Sequence, residues 1–204
     1  MSSEPGVVAV TFTDRLPRTT HPTRRIQFED GATAPIDANR AAVALNYFEA
    51  LGAPIHTGRP FHSGDLARAS RAVVVNDSFV RLILGGRNAV GQRFRYAQRQ
   101  GEPASDWFEV VGVVKDLGTI HDSVGNLAGV YHPAAPDAEE MKLAVHLRSD
   151  PASFAPRLRT IAAAVDPALR VHDVLPLDQV GATMMAVQTP PNRALILPAD
   201  ARRS

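Results

Sequence analysis

The residues of this chain with the clearest capacity for chemistry are its histidines, because a neutral imidazole can bind a metal ion or accept a proton near neutral pH. They are His21, His56, His62, His121, His132, His146 and His172. No two of them stand at the i, i+4 spacing that places two metal ligands on one helix face. The pattern favours separate surface histidines, and a metal or catalytic site assembled from distant segments stays the alternative.

Two histidines directly precede an aspartate, in His121-Asp122 and His172-Asp173. A carboxylate that contacts an imidazole could form a catalytic dyad. The second pair falls in a predicted strand, where adjacent side chains point to opposite faces of the sheet. The second pair is therefore a poor candidate for a dyad.

Charged and aromatic residues flank the most strongly predicted strand, at 107–114. The titratable ones are Asp106, Glu109, Lys115 and Asp116. Two carboxylates could act as general acid and base, but Asp106 and Glu109 lie on opposite faces if the strand includes both, so a solvated edge is favoured. Trp107 and Phe108 could stack on a ligand, and a strand start that buries one aromatic on each face explains them equally well.

Sequence motifs of nucleotide, hydrolase and metal sites are absent. There is no GxxxxGK[ST] loop, GxSxG elbow, HExxH helix or EF-hand loop, and Gly85-Gly86 with Gly91 indicates a turn. The chain has no cysteine, which excludes disulfides, thiolate metal sites and thiol nucleophiles. We therefore predict no enzyme activity and no catalytic, cofactor-binding or metal-binding residues.

Composition indicates a globular protein with no nucleic-acid partner. Hydrophobic residues make up 45% of the 204 residues, and 22 basic residues nearly balance 21 acidic ones. The arginines between Arg93 and Arg99 fit an exposed strand and hairpin. No apolar segment approaches the length of about 20 residues needed to cross a bilayer, and the start, MSSEPGVVAV, has no signal-peptide pattern. Hydropathy alone would predict a cytosolic protein.

Apolar runs bounded by turn residues predict the strands. Their ranges are 7–13, 26–28, 72–75, 93–96, 107–114, 142–147 and 169–174. The stretch 15–35 is predicted as an exposed connection, and Gly112 as a bulge or a point of close packing. The tail at 187–204 lacks periodicity and is predicted to be loose.

Three helices are predicted from caps and apolar spacing. A short one follows Asn46 as N-cap and ends at Gly52. A second begins at one of residues 76–78 and presents an apolar face of Phe79, Leu82 and Ile83. The third carries the stripe Phe154, Leu158, Ile161 and Val165 and ends at Asp166-Pro167; either Ser153 caps it, with Pro156 in its first turn, or Pro156 kinks it. With the strands at 142–147 and 169–174, this helix predicts a parallel βαβ unit.

Four segments in this order resemble one known family. They are NYFEALGAPIHTGRPF (46–61), AVVVNDSFVRLILGGRNAVGQRF (72–94), FEVVGVVKDL (108–117) and LAVHLRSDPASFAPRLRTIAAAVDPALRVHDVLPLDQV (143–180). Together they are similar to the MacB-type periplasmic core domain of FtsX-related ABC-transporter permeases, especially the duplicated orphan type. The chain departs from the family at 87–89, which follow Gly-Gly as Arg-Asn-Ala rather than Asp-Pro, and at 118–129. The tail after Met185 does not become a membrane helix, so we expect either a piece of a longer protein or a detached domain.

The resemblance implies an α+β fold made of a ferredoxin-like βαβ lobe with an inserted, mixed α/β lobe. The implied boundaries place residues 1–45 and 127–186 in the ferredoxin-like lobe, 46–126 in the inserted central lobe and 187–204 in the loose tail.

The resemblance also implies a role without chemistry, namely transmembrane transport with mechanotransmission. ATP hydrolysis on a separate ATPase subunit would move membrane helices, and these would move this domain against a substrate or partner. The implied partners are a second permease copy or duplicated half, the ATPase acting through the membrane helices, and a periplasmic protein. The implied location is the inner (plasma) membrane, with this segment periplasmic or extracellular. The alternative is an extracytoplasmic ligand- or protein-binding module unrelated to transport, with its site in a cleft between lobes.

Overall fold

The structure is a computed structural model that describes residues 4–29, 36–67, 69–98, 105–117, 127–135, 138, 141–167, 171, 174–177, 179–180 and, as backbone only, 195–197. Its strands are β1 Val7–Thr13, β2 Thr23–Phe28, β3 Ile36–Val43, β4 Ile55–Gly58, β5 Ala72–Asn76, β6 Arg93–Tyr96, β7 Phe108–Val114, β8 Gly129–Pro133, β9 Lys142–Leu147, β10 Leu175–Pro176 and β11 Leu195–Leu197. The helices are α1 Tyr47–Ala50, α2 Asp77–Leu82 and α3 Pro151–Val165, with a 3-10 turn at Ser63–Leu66. The described residues thus form a mixed α/β fold dominated by strands.

Six strands close on themselves in the order β3-β2-β6-β7-β5-β8 and back to β3. We call this unit the closed ring. Each of its strands contributes to one buried apolar cluster, through Ile26, Ala38, Val73, Phe94, Val110 and Val130. Phe79 of α2 and Ile83 and Leu84 after it join the same cluster, so the helix covers one end of the ring interior.

Four of the remaining strands form an outer sheet in the order β10-β11-β9-β1, and β4 pairs antiparallel with β7 of the ring. Phe154 and Leu158 of α3 pack against Val145 and Leu147 of β9, which anchors the helix to one face of this sheet. β9, β11 and β10 run parallel to one another, so β9, α3 and β10 form the predicted parallel βαβ unit, with β11 between its two strands. The outer sheet meets the ring where Thr13 of β1 pairs with Val43 of β3.

The observed bounds of several strands agree with the predicted bounds to within one residue. β1, β6 and β9 have the predicted bounds, and the strands at 72–75 and 107–114 differ by one residue. Gly112 lies at a register shift between β5 and β7, and a Cβ placed on it would stand 2.4 Å from the Arg59 carbonyl oxygen. Both expectations for this glycine, a bulge and close packing, are confirmed.

Two helix predictions need correction at their apolar faces and caps. In α2, Phe79 and Ile83 are buried but Leu82 is 52% exposed, because the helix ends at residue 82 and turns its last side chain outward. In α3, Asp150 is the N-cap in place of Ser153, and Pro151 occupies the first turn. This position suits proline because the first turn needs no N–H donor. Pro156 lies inside the helix.

The connection predicted as exposed is partly buried. Leu16, Thr19 and His21 are at most 7% exposed, because the Leu16 carbonyl accepts hydrogen bonds from Thr19 Oγ1 and is 3.0 Å from His21 Nε2. These contacts fold the segment back on itself. The strands were predicted from runs of apolar residues, and this segment mixes polar and apolar side chains. Its burial was therefore not predicted.

The C-terminal strand predicted at 169–174 is displaced. Residues 168–170 and 172–173 lie outside the described residues, Val171 and Val174 are not in a strand, and the ladder begins at Leu175. Val171 and Val174 pack against the cluster beneath α3, so their burial does not require a strand.

Within the tail predicted as loose, Leu195–Leu197 forms β11. Three apolar residues are too few for periodicity to predict a strand. Strands β2, β3 and β8 hydrogen-bond within the closed ring. The lobe boundaries expected at residues 45, 126 and 186 stay a prediction.

Candidate functional site

His146 lies in β9, and the other four histidines of the described residues have different partners in different elements. His21 Nε2 contacts the Leu16 carbonyl, His56 Nε2 lies 3.0 Å from Asp77 Oδ1, and His62 Nδ1 accepts from Gly64 N–H. His132 contacts Tyr96. Throughout the part of the chain that the structure describes, no three His, Asp or Glu side chains are grouped as a metal site requires. His121-Asp122 and His172-Asp173 lie outside the described residues.

The carboxylates around β7 are also separated. Asp106 forms an ion pair with Arg71, whereas Asp116 accepts from the N–H and hydroxyl of Ser78, at 2.9 and 2.7 Å. Asp116 thereby caps the start of α2. Asp106 and Asp116 serve different elements at opposite ends of β7. Glu109, the carboxylate weighed with Asp106 as an acid–base pair, lies within β7 and is exposed.

Trp107 and Phe108, at the start of β7, pack on opposite faces of the sheet. This agrees with the interpretation that places one aromatic residue on each face. The guanidinium of Arg95 lies 4.8 Å from the Trp107 ring, whereas Phe108 packs at 5.4 Å from the Tyr96 ring. Arg95 and Tyr96 are consecutive in β6 and so point to opposite faces. The nearby Arg93 forms an ion pair with Glu29.

The structure brings polar groups together where the outer sheet joins the ring; we call these residues the junction. Asp14 Oδ1 accepts from Ala42 N–H at 2.6 Å, and Lys142 Nζ donates to the Asp14 carbonyl at 2.8 Å. Thr13, which is fully buried, donates its hydroxyl to the Ala42 carbonyl at 2.9 Å. These bonds connect β1, β3 and β9 at the junction. They add to the single residue pair, Thr13 with Val43, by which β1 pairs with β3.

Helix α1 strengthens the junction from the side of the ring. Leu51, directly after α1, packs against two apolar clusters, one that contains Val43 and Phe48 and one around Leu16 and Ala144. Asn46 was predicted to cap this helix, but it makes no capping bond. Its side-chain N–H instead donates to the Val10 carbonyl of β1 at 2.9 Å. Sequence reasoning missed the junction because its partners are 28 to 128 residues apart.

A second polar arrangement stabilises the turn after β4. Arg59 donates to both oxygens of Asp65, at 2.7 and 3.0 Å, and the His62 N–H donates to Asp65 Oδ2 at 3.0 Å. Burial by itself raises the pKa of Asp65, but the hydrogen bonds from Arg59 and from His62 N–H outweigh it, so the pKa of this carboxyl lies below its usual 3.8. The ionised carboxylate is therefore part of the folded turn.

Asp65→Asn should lower the free energy of unfolding at pH 7 by about 1–3 kcal/mol, because it weakens charge-assisted hydrogen bonds at a buried group. Since the pKa of Asp65 is lower in the folded chain, its stabilising effect is present above the unfolded pKa and is lost as the pH falls through the folded pKa. Urea unfolding at pH 7 and pH 3 should show the wild type and the variant converging at the lower pH.

Glu29→Gln is the matched control, because Glu29 is 50% exposed and pairs with Arg93 at 3.2 Å. Exposed ion pairs contribute little, so this variant should differ from the wild type by less than about 0.5 kcal/mol at either pH. An equal loss in both variants would show that Asp65 has no special role in the turn.

The end of the ring opposite α2 carries a third polar arrangement: the side chains of Arg24, Arg40, Tyr96 and His132. We call these four the ring-mouth residues. Tyr96 Oη and His132 Nε2 are 2.6 Å apart, and the Arg24 guanidinium carbon lies 5.3 Å from the Tyr96 ring. Burial, and then the positive charge of Arg40, lowers the pKa of His132 to about 3. Burial raises the pKa of Tyr96, so both groups of the pair are neutral at physiological pH.

The fold resembles those of several domains of known structure. The periplasmic region of MacB from Actinobacillus actinomycetemcomitans superposes with a TM-score of 0.56 at 16% identity, over 92% of this chain and 80% of that one. A domain of a protein described as a permease from Porphyromonas gingivalis gives 0.51 at 18% identity, over 80% and 72%. The extracellular domain of the noncanonic ABC-type transporter YknZ from Gram-positive bacteria gives 0.48 at 16%, over 78% and 72%. No curated protein matches the chain.

At these identities the structural likeness shows the fold alone, which is shared with the periplasmic region of MacB. The sequence is more specific, because the model of the MacB-like periplasmic core domain family matches residues 4–175. This chain belongs to that family, as the four ordered segments predicted. In the residues that the structure describes, no helix is long and apolar enough to cross a membrane.

Proposed function

We propose that this chain is the extracytoplasmic domain of an ABC-transporter permease and couples movement of membrane helices to a substrate or partner outside the membrane, without catalysis of its own. Family membership supports the class of protein. The observation that carries the coupling role is the junction, where the bonds of Asp14 and Lys142 hold the outer sheet against the ring. A domain that transmits movement needs such a link, because loosely joined lobes would absorb the displacement.

The ferredoxin-like lobe of residues 1–45 and 127–186, with the mixed α/β lobe of 46–126 inserted, is part of this proposal. β9, α3 and β10 supply one βαβ unit, and β1 pairs antiparallel with β9. The proposed partners are a second permease copy or duplicated half, a separate ATPase subunit acting through membrane helices, and a periplasmic protein. The proposed location is the inner (plasma) membrane, with this domain on its outer side.

The coupling role predicts that the domain moves as one body. Arg87 follows α2 on the ring and Arg148 follows β9 on the outer sheet, and both are exposed. The chain has no cysteine, so each position can be spin-labelled after replacement by cysteine in the full-length permease, reconstituted with its ATPase. On ATP addition, the distance from 87 to 148 within one copy should stay constant. The distance from 148 to 148 between two copies should shift.

Asp14→Ala removes one bond of the junction and should broaden the distribution of distances from 87 to 148 while both lobes stay folded. A distance from 87 to 148 that changes on ATP in the unaltered protein would contradict the one-body proposal. So would a distance between copies that ATP leaves unchanged. A reading frame with no membrane helices beside this chain and no neighbouring ATPase would contradict the transporter role itself.

The second candidate function, an extracytoplasmic binding module unrelated to transport, draws support from the ring-mouth residues. The polar Tyr96–His132 pair lies at one end of a closed sheet, and the mouths of closed sheets are a common position of ligand sites. Thermal-shift screening against peptides, lipids and small hydrophobic compounds would test it; no shift with any of them counts against this function.

A further inference from the structure

A surface cavity of about 320 Å³ lies where β2 ends and β6 begins. It is lined by Phe28, Glu29, Gly91, Gln92 and Arg93. Its floor is Phe28, which is 5% exposed and packs edge-on against Phe79 of α2 at 6.4 Å. A Cβ built on Gly91 would meet no atom within 4 Å, so the space above this glycine is open. The volume is at the lower end of the range of small-molecule sites, and a ligand of this cavity would be small.

Backbone hydrogen bonds hold the wall of the cavity in place. The Glu29 N–H donates to the Arg93 carbonyl at 3.2 Å, and the Gly91 N–H donates to the Val110 carbonyl at 2.8 Å. The Gln92 carbonyl accepts from the Val110 N–H at 3.0 Å. A ligand would therefore meet side chains on a backbone that is already ordered, which lowers the entropy cost of binding.

The two charged side chains of the cavity pair with each other and keep most of their bonding capacity. Nη1 of Arg93 lies 3.2 Å from each carboxylate oxygen of Glu29. Among the described residues, Nε and Nη2 of Arg93 have no acceptor, and the side-chain amide of Gln92 makes no hydrogen bond. The side chains of Arg93 and Glu29 are 46% and 50% exposed. Because an exposed ion pair contributes little to stability, both groups can bind a ligand at little cost to the fold.

A third charge decides which kind of ligand the cavity favours. Glu109 of β7 is exposed and is the cross-strand neighbour of Arg93, so Arg93 lies between two carboxylates. One positive charge among two negative ones disfavours a ligand that carries a carboxylate alone. A ligand with an ammonium group alone would leave the Nε and Nη2 edge of Arg93 unused. A ligand with both groups uses Arg93 and Glu29 together and adds no net charge.

We propose that this cavity binds a small zwitterion of amino-acid or dipeptide size. Its carboxylate accepts from the Nε and Nη2 edge of Arg93, whose planar N–H fork matches two carboxylate oxygens at once. Its ammonium group donates to Glu29, and the amide of Gln92 can donate to or accept from a peptide group. The site is independent of the coupling role, because it could be disproved while the one-body movement holds.

The test is a titration of the 204-residue chain with glycylglycine at pH 7 and constant ionic strength, followed by amide chemical shifts in NMR spectra. The shifts should saturate with a Kd on the order of 1 mM and be largest at residues 91–93. Two analogues each lack one charge: N-acetylglycine keeps only the carboxylate, and glycinamide keeps only the ammonium group. Each should bind about tenfold more weakly or less, the effect expected for the loss of a charge-assisted hydrogen bond.

Substitutions in the cavity test the same two contacts from the side of the protein. Arg93→Gln and Glu29→Gln should each weaken glycylglycine binding about tenfold, and Arg93→Lys, which keeps the charge but not the fork, should weaken it less. Arg148→Gln is the matched control, because it removes the same charge from an exposed position after β9 and should leave the affinity unchanged. The spectrum of each variant without ligand shows whether it is folded. Glu29→Gln should be as stable as the wild type, so the test does not depend on Arg93→Gln alone.

Three results would overturn the proposal. The first is a set of shifts that rise linearly with glycylglycine and do not saturate. The second is an affinity that Arg93→Gln and Glu29→Gln leave equal to that of Arg148→Gln. The third is an analogue with one charge that binds as tightly as glycylglycine, because one charged group would then account for binding.

Discussion

Gly58→Ala should lower the free energy of unfolding by about 3–5 kcal/mol, a sum of backbone strain and overpacking. Gly58 has φ +79°, and a Cβ there would stand 2.3 Å from the Val111 carbonyl oxygen and 3.0 Å from Gly112 Cα. Both of these atoms belong to the backbone of β7, which cannot rotate away as a side-chain end would. Equilibrium unfolding in urea, followed by the fluorescence of the single tryptophan, Trp107, measures the loss.

Substitutions at two other glycines distinguish backbone strain from crowding as the cause of the expected loss. Gly52 has φ +64° with nothing within 4 Å of the added Cβ, so Gly52→Ala reports strain alone and should lose about 1–2 kcal/mol. Gly112 has no positive φ, but its Cβ would stand 2.4 Å from the Arg59 carbonyl oxygen, so Gly112→Ala reports crowding alone. If Gly58→Ala lost no more stability than Gly52→Ala, the close approach of β4 to β7 would not be what requires glycine at 58.

The close approach also matters for the turn that follows. Gly58 pairs with Gly112 in the ladder of β4 and β7, and the next residue, Arg59, donates its N–H to Val111 and its guanidinium to Asp65. Two glycines in register let the two backbones approach, and this places Arg59 where it can reach Asp65. The pairing of the two glycines is visible only in the structure.

Local signals predicted the elements well where each was complete within a few residues. β9 is bounded as expected because an apolar run lies between a charged segment and the Ser-Asp-Pro start of α3. Asn76 was one of three predicted caps, and its Oδ1 accepts from Phe79 N–H. Such signals act over three or four residues, which is the range that capping and periodicity describe.

The arrangement of these elements could not be derived in the same way. Closure of the ring depends on β8 pairing with β3, for example Val130 with Arg40, across some ninety positions of sequence, and no local pattern encodes such a register. The ring-mouth residues come from four different strands, and His132 looked like one scattered histidine among seven. Resemblance supplied the family and the expectation of two lobes, but it gave no information on which side chains meet.

Asn76→Ala should be the most damaging change to a polar side chain in the ring, lowering the free energy of unfolding by about 3–5 kcal/mol. Asn76 is 2% exposed. Its Oδ1 accepts from the N–H groups of Phe79 and Gly129, at 2.9 and 2.8 Å, and its Nδ2 donates to the Leu127 carbonyl at 2.7 Å. Alanine leaves three backbone groups without these partners, and each buried unsatisfied group costs about 1–3 kcal/mol.

Asn88→Ala is the control, because Asn88 is exposed and its bonds go only to Val90, two residues further along. It should change the free energy of unfolding by less than about 1 kcal/mol. Amide hydrogen exchange adds a local readout: in Asn76→Ala the protection of the Phe79 and Gly129 amides should fall before that of the β9 amides. Asn76 joins the end of β5, the start of α2 and the start of β8. If both variants unfolded at the same urea concentration, this one side chain would not hold the three segments together, and the covered end of the ring would depend on apolar packing alone.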